Sequence, residues 1–250
     1  MPRRRGGHKA KVAIRSAPLS KKSKPVHPGE SGGQYKPLND QGVVDIVENS
    51  FRILEEIGFN QATPHCIEVC TAFGAEMSDD GRLRFPRKVV EKAIDMSNKD
   101  LILYAQNPAN DLHVSGSRVY FSTAGAAVMI ADAETKTYRD SLAQDLYDMA
   151  RIADTCEHIH MFQRTCVLND IKDNYAMDLN TAYNCVMGTT KHVGSSWTEA
   201  HHLEKTLKLL HLMAGGEEAW RMRPFVSPSN CFVVPPMKFA EEALECLRIA

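Results

Sequence analysis

Residues 141–168 read SLAQDLYDMARIADTCEHIHMFQRTCVL. The first half, 141–156, spaces its apolar side chains at helical intervals and is opened by Ser141. The second half, HIHMFQRTCVL at 158–168, is a short apolar and β-branched run that reads as a strand. The same pairing recurs on both sides. RVYFST (118–123) precedes it as a strand, with AVMIADAETKTYRD set between as a hairpin. After it come a helix over 174–187, the strand KHVGSSW (191–197) and a helix over 198–214. RPFVSPSNCFVV (223–234) is a fourth strand, and KFAEEALECLRIA a last helix. The strands start roughly 40, 33 and 33 residues apart, the period of βα units, which requires a parallel sheet. Two architectures use such units: the open doubly wound sheet and the (β/α)8 barrel. No G-x-G-x-x-G or P-loop follows the first strand, which removes the usual nucleotide-fold markers. The expected fold is therefore α/β, a (β/α)8 TIM barrel with its first four βα units present. Eight units would need about 260–320 residues, so the reading is of a truncated chain carrying half a barrel.

Upstream the pattern is different. Asn39 and Asp40 cap a helix with Val43, Val44, Ile46, Val47, Phe51, Leu54 and Ile57 at helical spacing and Gly58 as its stop. Thr63 caps a second helix from Pro64 to Phe73, ended by Gly74. MSDDGRLRF forms a hairpin on Asp80-Gly81, RKVVEKAIDMS a short helix and DLILYAQ a strand. Three regions result: a basic tail at 1–37, a mainly helical region at 38–110, and the half barrel at 111–250. Composition agrees with a globular protein, 43% hydrophobic and 24% charged. Residues 1–24 hold nine Lys or Arg and no acid, leaving 21 basic against 31 acidic residues in the remainder. Such an arm, Arg3 to Lys24, suits nucleic acid or another anionic partner. Gly, Ser, Pro and Lys dominate it, and no aromatic residue precedes Tyr35, so a solvated tail is the simpler reading. Seven cysteines without a C-x-x-C pair argue against a disulfide framework. No apolar leader opens the chain, and runs such as AAVMIA (126–131) are too short for a bilayer. A cytoplasmic protein, without membrane attachment, is expected.

Several motifs suggest chemistry. Asp111 to Gly116, D-L-H-V-S-G, fits the Asp-x-His-x-x-Gly loop that offers a histidine to the cobalt of a corrinoid. Here it follows the Asn107-Pro108 turn and leads into a strand, which places His113 on a hairpin arm. His158 and His160 form the H-x-H pair of metal-dependent barrel hydrolases, but they open their strand, whereas barrel sites lie where strands end. His65-Cys66 with Cys70 is half of a zinc site with no second pair at zinc spacing. His201, His202 and His211 lie on one helix and read as its partly exposed face. Gly194-Ser195-Ser196 lacks the second glycine of a nucleophile elbow.

The barrel rule assigns the site to strand ends. Thr123, Gly125, Gln163, Ser195, Trp197 and Asn230 are the candidate substrate-binding residues. They are small, neutral and polar with one aromatic, and the indole of Trp197 suits a quaternary ammonium. No catalytic residue and no metal ligand is assigned.

The order of five motifs adds a resemblance. R-R-R-G-G (Arg3 to Gly7) comes first, then the Asn107-Pro108 turn and the arm D-L-x-V-x-G. V-Y-F-S-T-x-G (Val119 to Gly125) follows, and a hairpin with Ala131-Asp132 near its start. The chain resembles the trimethylamine methyltransferase family over its 250 residues, as the N-terminal half of a member. The resemblance implies a (β/α)8 barrel that moves a methyl group from a tertiary or quaternary amine, such as trimethylamine or a betaine. The acceptor is the cob(I)alamin of a separate corrinoid protein, so the chain itself binds no cofactor and its partners are that protein, the amine and further copies of itself. Founding members carry pyrrolysine in a later strand, which would lie beyond Ala250. Ala124 stands where some quaternary-amine relatives have an aromatic residue. The alternatives remain a metal-dependent hydrolase on His158 and His160, and nucleic-acid binding through residues 3–24.

Overall fold

The computed structural model describes residues 30–33 and 35–250. The basic arm Arg3–Lys24, the Arg3–Gly7 motif and most of the 1–37 tail lie outside the described residues. Strand β1 (Glu30–Ser31) is followed by helix α1 (Asp40–Arg52), where the Asn39 side chain accepts from Gly42 N–H at 2.7 Å. The helix passes into a π-helical turn, Ile53–Ile57, and stops at Gly58, whose φ is +64°. A side chain at Gly58 would overlap the Leu83 carbonyl, so both the conformation and the contact require glycine. Val43, Val44, Ile46 and Val47 on α1 stay exposed among the described residues. Helix α2 (Pro64–Phe73) has Thr63 Oγ1 accepting from Cys66 N–H, proline in its first turn and Gly74 at φ +118° beyond its end. The hairpin of β2 (Glu76–Met77) and β3 (Leu83–Arg84) turns through Gly81 at φ +76°. Helix α3 (Arg87–Met96) begins with Arg87, which grips Glu48 of α1 through both terminal guanidinium nitrogens.

Strands β4 (Asp100–Leu103) and β5 (Leu112–Ser115) pair antiparallel, and β6 (Arg118–Val119) pairs antiparallel with β1. The run 118–123 is thus not one strand of the parallel sheet. Its first two residues join β1, and only Ser122 forms a parallel bridge to Met161. The inserted hairpin is β7 (Met129–Ala131) and β8 (Tyr138–Asp140). Helix α4 (Ala143–Thr155) starts two residues beyond Ser141. Leu142 N–H donates to Asp145 Oδ2, while the Ser141 hydroxyl is buried and donates to the Val167 carbonyl at 2.6 Å.

Then come β9 (Met161–Gln163), α5 (Asn174–Gly188), β10 (His192–Ser195), α6 (Ala200–Ala214), α7 (Glu217–Met222) and β11 (Val226–Pro228). Strands β9, β10 and β11 form a parallel sheet in sequential order, with Phe162, Val193 and Val226 in register. The fourth expected strand is shorter than 223–234. It ends at Pro228, and Val233–Val234 (β12) turns back through a hairpin with β13 (Lys238–Phe239) before α8 (Glu241–Ile249).

Because side chains alternate along a strand, the sheet has two faces. Phe162, Val193 and Val226 point into the core made with Leu146 and Ala150 of α4, Ala182 and Cys185 of α5, and Leu203 and Leu210 of α6. Each large side chain buried here stabilises the fold by about 1.5–3 kcal/mol. Met161, Gln163, His192, Gly194 and Ser227 occupy the opposite face. There His192 Nδ1 donates to the Tyr104 carbonyl at 2.6 Å, and its Nε2 accepts from Ser227 Oγ at 3.0 Å, tying the sheet to the N-terminal region. Among the described residues no helix is long and apolar enough to cross a membrane.

A Cβ at Gly188 would lie 2.5 Å from the Ala150 Cβ and 2.9 Å from the Tyr147 carbonyl oxygen. Gly188→Ala should destabilise by about 1–3 kcal/mol in urea unfolding, since overpacking outweighs the gain in helix propensity; a more stable variant would mean that α4 and α5 part freely. Burial holds the His192 imidazole below its ordinary value of 6.5. The unfolded chain then takes up the proton first as pH falls, so this contribution is full above that value and declines below it. Stability measured from about pH 7 to pH 5 should fall, and His192→Gln should flatten that part of the profile; an unchanged slope would assign it to other groups.

Candidate functional site

The candidate site lies at the carboxyl ends of the parallel strands. Gln163 is the last residue of β9 and sits opposite Gly194 in the register. A Cβ on Gly194 would overlap the Gln163 side-chain oxygen, so the missing side chain is what lets the carboxamide lie across β10. No hydrogen bond among the described residues engages that carboxamide. Thr123 joins it from the preceding segment. Its hydroxyl donates to the Gln163 carbonyl at 2.5 Å and accepts from the Gln163 N–H at 2.9 Å. Thr123 therefore uses its hydroxyl to fix the Gln163 backbone. Gly125 lies against the next stretch, where a Cβ would overlap the Arg164 carbonyl oxygen. Beyond it, Ala127 N–H donates to the Thr165 carbonyl and Val167 N–H to that of Ala127, both at 2.9 Å. Thr123, Gly125 and Gln163 are thus brought together.

The other candidates lie elsewhere. Ser195 is fully buried on the same face of β10 as Val193, and its Oγ has no hydrogen-bond partner. Trp197 is 7% exposed, packs in the helical core and donates from Nε1 to Thr206 Oγ1 at 3.1 Å. It borders a cavity of about 220 Å³ shared with Leu203, Leu210 and Trp220. Its ring therefore belongs to the layer behind the sheet, not to the face that carries Gln163. Asn230 is half-buried beside the Cys246 thiol, with its amide nitrogen unpartnered.

One polar constellation was missed by sequence reasoning. Asp178, fully buried on α5, accepts at Oδ2 from Thr198 N–H (2.8 Å), Thr198 Oγ1 (2.7 Å) and His202 Nδ1 (2.7 Å). It anchors the loop that leaves β10. The available signal was its position: Asp178 shares a helical stripe with Ala182, Cys185 and Val186, an acid on an otherwise buried face. Lys191, at the opposite end of β10, donates to the carbonyls of Ala153, Cys156 and Ile159, and burial holds its ammonium below the ordinary lysine value.

His113 and His160 are engaged in structural contacts. His113 lies on the β4–β5 arm, with Nε2 bonded to Asp100 and Nδ1 accepting from Arg118 at 3.2 Å. Neither ring nitrogen is open toward a cobalt ion. His160 Nδ1 accepts from Phe121 N–H at 2.9 Å, and its ring packs on Tyr120 and Phe121 ahead of β9. His158 and His160 belong to no cluster of metal-ligating side chains among the described residues. Cys66 and Cys70 sit 3.9 Å apart on α2, and burial with the neighbouring thiol pushes Cys66 up to about 12, far from a reactive thiolate. An apolar cavity of about 760 Å³ beside α2 and α3 is lined by Phe59, Phe73, Phe85 and Val89, remote in the chain from the strand ends.

Comparison with known proteins agrees with the resemblance. The family described as trimethylamine methyltransferase (MTTB) matches residues 4–250. The trimethylamine methyltransferase MttB of Desulfitobacterium hafniense (strain DSM 10664 / DCB-2) is 28% identical over 211 residues, covering 84% of this chain and 42% of the relative. The glycine betaine methyltransferase of Desulfitobacterium hafniense (strain Y51) is 25% identical over 216 residues, covering 86% and 44%. The trimethylamine methyltransferase MttB of Methanosarcina thermophila is 22% identical over 191 residues, covering 74% and 40%. The chain spans less than half the length of these curated relatives. With nearly its whole length matched, the chain belongs to the trimethylamine methyltransferase family.

Proposed function

We propose that this chain serves methyl transfer from a methylated amine, trimethylamine or a betaine, to the corrinoid of a separate protein. The observation that carries the reading is the match over residues 4–250, together with relatives named for trimethylamine and for glycine betaine. The sequential parallel order of β9, β10 and β11, extended by the Ser122–Met161 bridge, is in keeping with one wall of a (β/α)8 barrel. A barrel site at its carboxyl end then contains the Gln163 carboxamide as its available polar group.

Such a site suits the chemistry. The corrinoid supplies the nucleophile when its protein is docked, so the chain needs neither a triad nor a metal for attack. The chain must hold the amine with one methyl turned outward and exclude water around it. A neutral carboxamide lends partial negative charge to an ammonium. It accepts an N–H from protonated trimethylamine but only weak C–H contacts from a quaternary amine. In the balanced reaction the C–N bond breaks, its electron pair stays on nitrogen, and the amine leaves with one methyl fewer. A tertiary amine must therefore carry its proton until it leaves. Thr123 and Gly125 act through Gln163 and the adjoining backbone, as positioning residues.

Calorimetric titration of the chain with trimethylammonium and with glycine betaine tests the site. Gln163→Ala should weaken the preferred amine about tenfold, or ~1.4 kcal/mol, without moving the thermal midpoint. Gly194→Ala should give a similar loss by displacing the carboxamide. Equal affinity in wild type and Gln163→Ala would remove Gln163 from the site. The transfer itself is read by mixing chain, amine and a corrinoid protein reduced to cobalt(I), and following the visible spectrum and the demethylated amine by mass. Equimolar loss of cobalt(I) and gain of demethylated amine is expected; no amine product with any methylated donor would overturn the reading.

A further inference from the structure

We propose that Glu199, His201 and His202 form a binding site for a divalent transition-metal ion, of the borderline kind represented by zinc or cobalt(II). These residues open α6, directly after the loop that leaves β10, and one ligand atom from each lies within 4.8 Å of the others. His201 Nδ1 is 3.5 Å from a Glu199 carboxylate oxygen, and the two imidazole centroids are 4.3 Å apart. Two imidazoles and one carboxylate are a donor set that zinc and its neighbours accept, with a fourth position left for water or another ligand.

A buried carboxylate supports the cluster from behind. His202 is almost fully buried and its Nδ1 is held at 2.7 Å by Asp178, which is itself wholly buried. Thr198 N–H and Oγ1 donate to the same carboxylate oxygen, so that oxygen is fixed from three sides. With its Nδ1 proton donated to Asp178, His202 keeps the Nε2 lone pair, which no hydrogen bond among the described residues engages. A buried carboxylate orienting a histidine through one nitrogen and leaving the other for an ion is the arrangement that supports metal ligands. The second oxygen of Asp178 is buried without a partner, a cost that a nearby cation lowers. The charges also match: Asp178 and Glu199 supply two negative charges against a divalent ion. That outweighs the partial positive charge of the α6 N-terminus, roughly half a unit. Zinc–nitrogen bonds of about 2.0–2.1 Å would require the donor atoms to approach to roughly 3.3 Å. His201 and Glu199 have side chains 56% and 46% exposed and are free to make that adjustment, while His202 is the fixed point.

The test is titration of the intact chain with zinc alone and with cobalt(II) alone, by calorimetry and by the visible absorption of bound cobalt. One ion per chain is expected, with a raised thermal midpoint. His201→Ala and Glu199→Gln alter exposed side chains, so they should leave the metal-free midpoint in place while lowering affinity at least about tenfold. Asp178→Asn should cost about 10–100-fold by loosening His202. Unchanged affinity in both His201→Ala and Glu199→Gln would show that the ion sits elsewhere, and absence of binding at micromolar metal would equally overturn the site.

Discussion

The structure depends on the two-faced character of β9, β10 and β11. Phe162, Val193 and Val226 lie in register on one face, and that row is what α4, α5 and α6 cover. Since a strand alternates strictly, placing these three side chains toward the helices forces Gln163, His192, Gly194 and Ser227 to the other face. A slip of one residue in β10 would expose Val193 and bury the face that carries the site. The core thus sets the site register, and the site residues have no separate choice of position.

That constraint also explains what was legible. The helices carry local signals, so Thr63, Pro64 and Gly74 delimit α2, and Asp173, whose side chain accepts from Ala176 N–H, starts α5 where the pattern begins. The Asp80-Gly81 turn and the β4–β5 arm were equally readable, because each is closed by near neighbours. The parallel strands are another matter. All four residues of β10 are buried, so hydropathy along HVGS has no period to show which side chain faces which way. Ser195 and Trp197 could be placed near a strand end, yet the turn of one residue decides between sheet face and helical layer. The run from Arg223 to Val234 looked like one strand since its apolar content is continuous. The parallel strand ends at Pro228, and the residues beyond it enter the local hairpin of β12 with β13.

Contacts distant in sequence decided the remaining cases. Ser141 has the composition of a helix cap, but the Val167 carbonyl needs a donor and Asp145 already receives Leu142 N–H. Tertiary demand overrode local preference. Asp178 shows the reverse: as an acid on a buried stripe it looks unfavourable alone, and it becomes acceptable only when Thr198 and His202 arrive from another element. His113 differs from both: a ligand-like hexamer sits in an antiparallel arm whose own near neighbours, Asp100 and Arg118, engage the ring.

The neutrality of the strand-end site follows from the same bookkeeping of partners. Thr123 gives and receives hydrogen bonds with the Gln163 backbone, and His192 and Ser227 satisfy one another beside Tyr104. Of the polar groups that the described residues place on that face, the Gln163 carboxamide is left with donor and acceptor capacity, over a glycine that gives it room. A group that neither titrates nor carries full charge can orient an ammonium without attacking it. In the proposed methyl transfer, orientation falls to the chain and nucleophilic attack to the partner. Replacing Gly194 by any larger residue would close the space before altering any charge, so the shape of β10 is as much a part of the candidate site as the amide that lies across it.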